Sequence, residues 1–425
     1  MAKTNRIHPA DLVGYSRLAV AATLKLTGLV EAMHANIAGS EDRNGEAEPR
    51  RTTGITGAVY RSVHGATTLV GGGIDAVLMR AVPMLRHSAT SPEREALLGA
   101  LNGVIGDYLV ETGNPLAIAM CMRRNGKPLN LERQALAAAI PGASSKLVVL
   151  VHGLAMSDLK WHREGHDHGE ALARDLGFTP IYLHYNSGLH ISTNGRALSE
   201  LLELLVQQWP VPLKEFVIIG HSMGGLVSRA AYHYGTLANH TWTRKLRKLI
   251  FLGAPHHGSH LERGGNWMHF AFQLSKYTSP LARLGKIRSA GITDLRYGNL
   301  LDEDWQPHDR FRISGDLRRA VPLPEKVKCY AMAASASERP GSLSSIVLGD
   351  GLVPVGSALG LHSDPQRTLK FAKSRQWVGY GMRHWDLLSH PSVYEVIKKW
   401  VASPLRKAPT RQVSAEPSKK KRQRQ

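Results

Sequence analysis

Six short runs made almost wholly of apolar residues, set among stretches of helical periodicity, constrain this chain more than any other feature. They are Lys146–His152 (KLVVLVH), Pro180–Tyr185 (PIYLHY), Phe216–Gly220 (FVIIG), Leu249–Gly253 (LIFLG), Val327–Ala333 and Gln376–Gly379. Arg196–Gln208, Met223–Tyr234 and Val393–Val401 carry apolar residues at helical spacing between and after them. A strand with one wet face alternates polar and apolar residues. Near-continuous Val, Ile and Leu instead require both faces to be covered, which predicts a parallel sheet with helices on either side.

Upstream, LAIAMCMRR and KPLNL flank Asn125-Gly126, the dipeptide that favours a type I′ turn, so a hairpin is expected there. An antiparallel hairpin feeding a parallel sheet is how an α/β-hydrolase domain begins. The expected fold class is therefore α/β, with a mostly parallel sheet, helices on both faces, a helical lid insertion and an N-terminal helical region. Residues 1–110 are read as that helical accessory region, 111–403 as the catalytic domain with its lid at about 260–325, and 404–425 as a disordered basic tail. Within the first region a helix is expected around Leu18–Ile37 and a polar linker over Gly39–Thr53. Ile55–Leu85 is too interrupted by Arg61, His64, Asp75 and Arg80 to cross a membrane. It reads as two amphipathic helices joined at Gly71-Gly72-Gly73, which pack on the catalytic domain, lie in a membrane interface or cover the site. Trp267, Met268, Phe270 and Phe272 form a helical stretch in the insertion that suits either a lid over acyl chains or the core. No internal repeat occurs.

Gly220-His221-Ser222-Met223-Gly224 fits G-x-S-x-G where FVIIG meets a helix. A nucleophile must stand on a sharp turn, and the small residues on either side let strand and helix approach. Serine is a poor nucleophile at neutral pH and needs a base, which in turn needs an orienting acid. In a fold with the chain order Ser, acid, His, the acid expected is Asp350 in LGDGLVP, behind the strand-like Ser345–Leu348. Asp294, Asp302 and Asp304 lie in the insertion instead. His384, in the loop before the last helix, is expected as the base; His390 precedes Pro391 and reads as a helix-start residue. The oxyanion would be held by the backbone N–H of Met223, just after the nucleophile, and of Leu154, after the first parallel strand. His221, His256 and His257 are expected to line the substrate pocket.

LVVLVHGL, VIIGHSMGGL, LGAPHHGS, GDGLVP and HWDLL together resemble bacterial true lipases and GPI inositol-deacylase-like serine hydrolases, over roughly Leu147 to Trp400. The resemblance implies hydrolysis of a lipid or other hydrophobic acyl ester, with the roles above for Ser222, Asp350, His384, Leu154 and Met223. An acyltransferase or intracellular polyester depolymerase would use the same triad, and a lipid-surface scaffold with a vestigial site is the reading from another class.

Composition bounds the setting. The two cysteines, Cys121 and Cys329, sit in apolar runs and are expected as buried free thiols, and the N-terminus has no secretion signal, so a cytoplasmic or peripheral membrane location is expected. Lys and Arg outnumber Asp and Glu by 54 to 34, a net charge of +20. Much of that is local, since residues 406–425 hold eight Lys or Arg against Glu416. Such a tail solubilises the chain or contacts anionic membrane; without aromatic interleaving, no specific nucleic acid is expected. The stretch Trp161-His162-Arg163-Glu164-Gly165-His166-Asp167-His168 lacks a distant second half of metal ligands and is assigned to loop or helix-start hydrogen bonding. No metal or cofactor is expected, and oligomeric state carries no sequence signal.

Overall fold

Both faces of every central strand are buried, as their composition demands. The computed structural model describes residues 9–37, 52–81, 91–259, 288–306, 315–338 and 349–404. Three long helices come first: α1 (Pro9–Ile37), α2 (Gly54–Ala81) and α3 (Pro92–Glu111). The hairpin β1 (Cys121–Arg124) and β2 (Lys127–Pro128) turns through Asn125 and Gly126, both at positive φ. There follow α4 (Arg133–Ala139), β3 (Lys146–Val151), α5 (His168–Leu176), β4 (Thr179–His184), α6 (Ile191–Gln208), β5 (Glu215–His221), α7 (Met223–Leu237), α8 (Trp242–Lys245) and β6 (Leu246–Leu252). After the insertion come α9 (Ala290–Asp294), β7 (Lys328–Ser335), α10 (Val355–Ala358), β8 (Gln376–Tyr380) and α11 (Pro391–Ala402).

The sheet runs β2-β1-β4-β3-β5-β6-β7-β8. Among the described strands, only the β1–β2 and β1–β4 pairs are antiparallel. This is the α/β-hydrolase arrangement. Alternate residues divide between two cores: Leu147, Val149, Phe216 and Ile218 face one way with Leu198, Leu202, Leu226 and Val227 of α6 and α7. Val148, Leu150, Val217 and Ile219 face the other way with Leu172 of α5 and Val393 and Ile397 of α11. A one-residue slip would exchange the two sets, so burial fixes the register.

One expectation is corrected. The segment read as two helices joined at three glycines is one helix, α2, running straight through them. Its Gly71 is a contact rather than a break: a Cβ there would lie 2.6 Å from Val20 Cγ2 of α1. Glycine costs a helix about 1 kcal/mol relative to alanine, and the close packing of α1 on α2 offsets it. Within the insertion, Ile292, Leu295, Leu300 and Leu301 are buried in the larger core. Residues 260–287, with Trp267, Met268, Phe270 and Phe272, lie outside the described residues, as do 307–314, Ser345–Leu348 and the basic tail from 405.

The N-terminal helices are tied on by ion pairs. Arg17 of α1 grips Asp75 of α2 at 2.7 and 2.9 Å, and Arg94 of α3 grips Asp11 of α1 at 2.6 and 2.7 Å. Cys121 is half-buried and Cys329 buried; both are free, and burial pushes the Cys329 thiol up to about 12. No helix among the described residues is long and apolar enough to cross a membrane.

Candidate active site

Ser222 sits at the sharp turn between β5 and α7 with φ 52° and ψ −126°, a backbone conformation that L-residues avoid at a cost of about 1–3 kcal/mol. The surroundings hold it there. Its N–H donates to Leu252 O on β6 at 2.8 Å, and its own carbonyl accepts from Gly225 N–H at 3.0 Å. A Cβ at Gly224 would lie 2.2 Å from Val151 O, and one at Gly220 would lie 2.7 Å from Gly225 Cα. Both flanking positions therefore require glycine for the helix to start this close to the strands.

His384 opens a short 3-10 turn after β8, and its Nδ1 lies 2.6 Å from Asp350 Oδ2. The other carboxylate oxygen of Asp350 accepts the N–H groups of Leu352 and Val353 at 2.9 and 2.8 Å. Those two bonds fix the carboxylate in its turn, and the turn forms because Gly349 at φ 55° brings its Cα against the Val353 carbonyl. With Nδ1 held by Asp350, the free nitrogen of the ring is Nε2. Asp386 accepts Arg383 N–H at 2.7 Å and so braces the His384 loop. His390, the other histidine in this stretch, caps α11 by accepting Ser392 N–H.

Ser222 and His384 border one cleft, lined also by Gly153, Leu154, Met156, His221, Pro255, Ser259, Leu295, Leu352, Val353 and Trp385. Among the described residues the Ser222 hydroxyl has no hydrogen bond to His384. The loop after β3 carries Leu154 to the cleft. Ala155 takes a positive φ of 55°, its N–H donating to Ser187 Oγ at 2.9 Å, while Gly153 N–H points to Met156 Sδ at 3.3 Å. Leu154 N–H between them donates to no group among the described residues. Met223 N–H heads α7, where the first turn of a helix has no acceptor of its own. The loop is backed by the glycine face of α3, since Cβ atoms at Gly99 and Gly103 would strike Met156 O at 2.7 Å and Ala155 Cβ at 2.4 Å. Nothing in the sequence of α3 announced that service.

His221 is fully buried under the cleft, its ring 4.8 Å from that of His384. Burial, and then the neighbouring His384, push its pKa well below the ordinary value, so it is neutral. The structure does not bring His256 and His257 to the Ser222 cleft. The chain turns at Pro255, and both rings line a separate pocket with Arg229, Arg318, Arg319 and Arg367.

The histidine-rich stretch resolves into hydrogen bonds. Asp167 caps α5 by accepting the N–H groups of Gly169 and Glu170, and His166 Nε2 lies 2.8 Å from His168 Nδ1, whose Nε2 reaches Leu387 O. A group with metal-ligand chemistry lies elsewhere: Glu95, Asp158 and His184 are buried with their ligand atoms within 4.8 Å of one another. Arg123 already stands among them, 2.7 Å from Glu95 and 3.1 Å from Asp158, and supplies the positive charge a cation would bring. Its four members come from α3, β1, β4 and the loop after β3, a convergence no sequence spacing signals.

Residues 143–318 match the family described as PGAP1-like alpha/beta domain, a span that includes Leu154, Ser222 and Met223 but stops short of Asp350 and His384. No curated protein matches the chain. Among solved structures, the chain is similar to the mature Bacillus licheniformis lipase BlEst2, with 19% identity, 67% of this chain and 98% of that one covered, and a TM-score of 0.39. It is also similar to the phospholipase PlaB from Legionella pneumophila, with 17% identity, 61% of this chain and 60% of that one covered, and a TM-score of 0.37. A Pyrococcus furiosus esterase, Pf2001, shares 13% identity over 62% of this chain and 86% of its own, with a TM-score of 0.36.

Proposed function

We propose that the chain is a serine hydrolase that cleaves carboxylic esters of hydrophobic acyl groups through an acyl-enzyme on Ser222. The observation that carries this reading is the meeting, in one cleft, of a serine on a strained elbow and a histidine whose far nitrogen is held by a buried aspartate at 2.6 Å. His384 Nε2 takes the Ser222 proton as Oγ attacks the ester carbonyl, and Asp350 keeps the imidazole in the tautomer that can do so. Leu154 and Met223 N–H stabilise the oxyanion. As the intermediate collapses the ester C–O bond breaks, and His384 returns the proton to the departing alcohol. Water then attacks the acyl carbon as it gives a proton to His384, and when the bond to Ser222 Oγ breaks His384 passes that proton to Oγ, releasing the acid and restoring the serine.

Apolar Leu154, Met156, Pro255, Leu295, Leu352, Val353 and Trp385 around the cleft favour an acyl chain over a polar acyl group. Contact with an anionic membrane belongs to the same proposal. Leu26, Val30, Val59, Val63, Leu69 and Val70 are exposed on α1 and α2, in a chain with a net charge of +20.

Hydrolysis of p-nitrophenyl esters of increasing chain length tests the reading. Wild type should turn over with a preference for longer chains, and Ser222→Ala should lower kcat by about 1000-fold or more while remaining folded. Equal turnover by the variant would remove Ser222 from the chemistry.

A further inference from the structure

The second pocket, on the far side of the Pro255 turn from Ser222, holds an unusual charge. Arg229 lies in α7 among Leu226, Val227, Ala230 and Ala231 and is only 5% exposed. No carboxylate pairs with it among the described residues. Its Nη2 donates to Val321 O at 2.6 Å and its Nη1 to His256 Nδ1 at 3.2 Å, while Nε is buried with no partner. Because His256 Nδ1 accepts from the arginine, its proton sits on Nε2, and that atom too is buried without a partner. The two orphaned atoms are thus both donors. Burial, and next the nearby Arg318, lower the Arg229 pKa to about 9, the mark of a cation lacking a counter-charge.

The rest of the pocket is of the same sign. Arg318, Arg319 and Arg367 line it together with Asp304. Asp316 sits behind, bound to Arg318 at 2.7 Å and Arg367 at 2.9 Å. Asp304 is engaged by the N–H groups of Leu300, Leu301 and Arg319. Asp364 also pairs with Arg367, at 3.4 Å, so among the described residues four arginines meet three aspartates and one positive charge is left over. An unpaired buried charge is costly, and a molecule that retains one gains most from a ligand that supplies the missing charge and acceptors together.

We propose that this pocket binds a phosphate group, whose oxygens accept from Arg229, His256 and Arg319 and whose charge meets the excess of the four arginines. It stands independently of the chemistry at Ser222. The phosphate comes either from solution or from the headgroup of an ester whose acyl part occupies the neighbouring cleft.

Calorimetric titration of the full chain with inorganic phosphate, against chloride at equal ionic strength, tests the site. Wild type and Ser222→Ala should bind alike, and Arg229→Met should weaken binding at least about tenfold, the effect of one charge-assisted donor. Replacing an unpaired buried charge by an apolar side chain of similar length should leave stability without phosphate unchanged or raised. Should Arg229→Met not fold, Arg319→Glu, at an exposed position, should weaken binding in the same way. No phosphate binding by wild type above the chloride control, or wild-type affinity in a folded variant of either kind, would overturn the proposal. Esters separate the sources: a lower kcat/KM of Arg229→Met on a glycerophosphate ester but not on a p-nitrophenyl ester identifies a headgroup. Unchanged turnover of both, with weakened phosphate binding, identifies free phosphate.

Discussion

At the elbow, Gly224 presses against the carbonyl of Val151; in the N-terminal pair, Gly71 presses against the side chain of Val20. Both contacts bring elements closer than any Cβ would allow, yet they differ in what resists displacement. The first neighbour is backbone in a buried strand, flanked by strands on both sides. The second is a side chain on a helix that is also tied to its partner by the partly exposed Arg17–Asp75 pair. Precision at Ser222 is thus built from groups that cannot move, whereas α1 and α2 are joined by groups that can.

That difference is broken most directly at the elbow. Gly224→Val should cost about 3 kcal/mol or more and abolish ester turnover, because the added methyl groups overlap main chain that has nowhere to go; urea denaturation and an esterase assay read both effects. A variant with wild-type stability and activity would mean that helix and strand lie farther apart than described.

Acid should strike the sheet region next. Burial lowers the pKa of His152 and of His168 to about 3, so both are neutral when folded and take up protons near 6.5 when unfolded. Between those values the unfolded chain binds more protons, and stability falls as pH falls. Each histidine should remove about 1 kcal/mol by one pH unit below 6.5, with no further loss from either once pH is below 3. Tm measured from pH 7 to 5 should fall, and His168→Asn should shallow the slope; an unchanged slope would remove His168 from the account.

The smallest effect is expected at α1 and α2. Arg17→Ala breaks a pair whose side chains are 33% and 29% exposed, and should cost less than about 1 kcal/mol, with ester turnover unchanged. A larger loss, seen by the same denaturation, would show that the helical pair is as firmly coupled to the sheet as the elbow is.

The same contrast explains what was legible in the sequence. Lys146–Val151, Glu215–His221 and Leu246–Leu252 announce themselves because a strand buried on both faces must be apolar throughout, and Asn125-Gly126 because few residues tolerate positive φ twice in succession. Ser222 is readable for a related reason, since its glycines are local steric requirements. The continuity of α2 was not, because Gly71 answers to Val20 on another helix, and a glycine that breaks a helix looks the same in sequence as one that permits a contact. His256 and His257 were placed beside the cleft by their nearness in sequence to a core strand; the turn at Pro255 carries them past it. Arg229 did leave a readable trace, a charged residue on the apolar face of a predicted helix, though its lack of a partner emerges only from the packing of Val321 and His256 around it.

The central claim, that Ser222 is an activated nucleophile, is tested most directly by treating the folded protein with a fluorophosphonate and locating the adduct by mass spectrometry. The account predicts one phosphonyl group, on the peptide carrying Ser222, formed with loss of fluoride, absent from Ser222→Ala and greatly slowed in His384→Ala. No adduct on folded wild type, or an adduct that persists at another residue in Ser222→Ala, would contradict it.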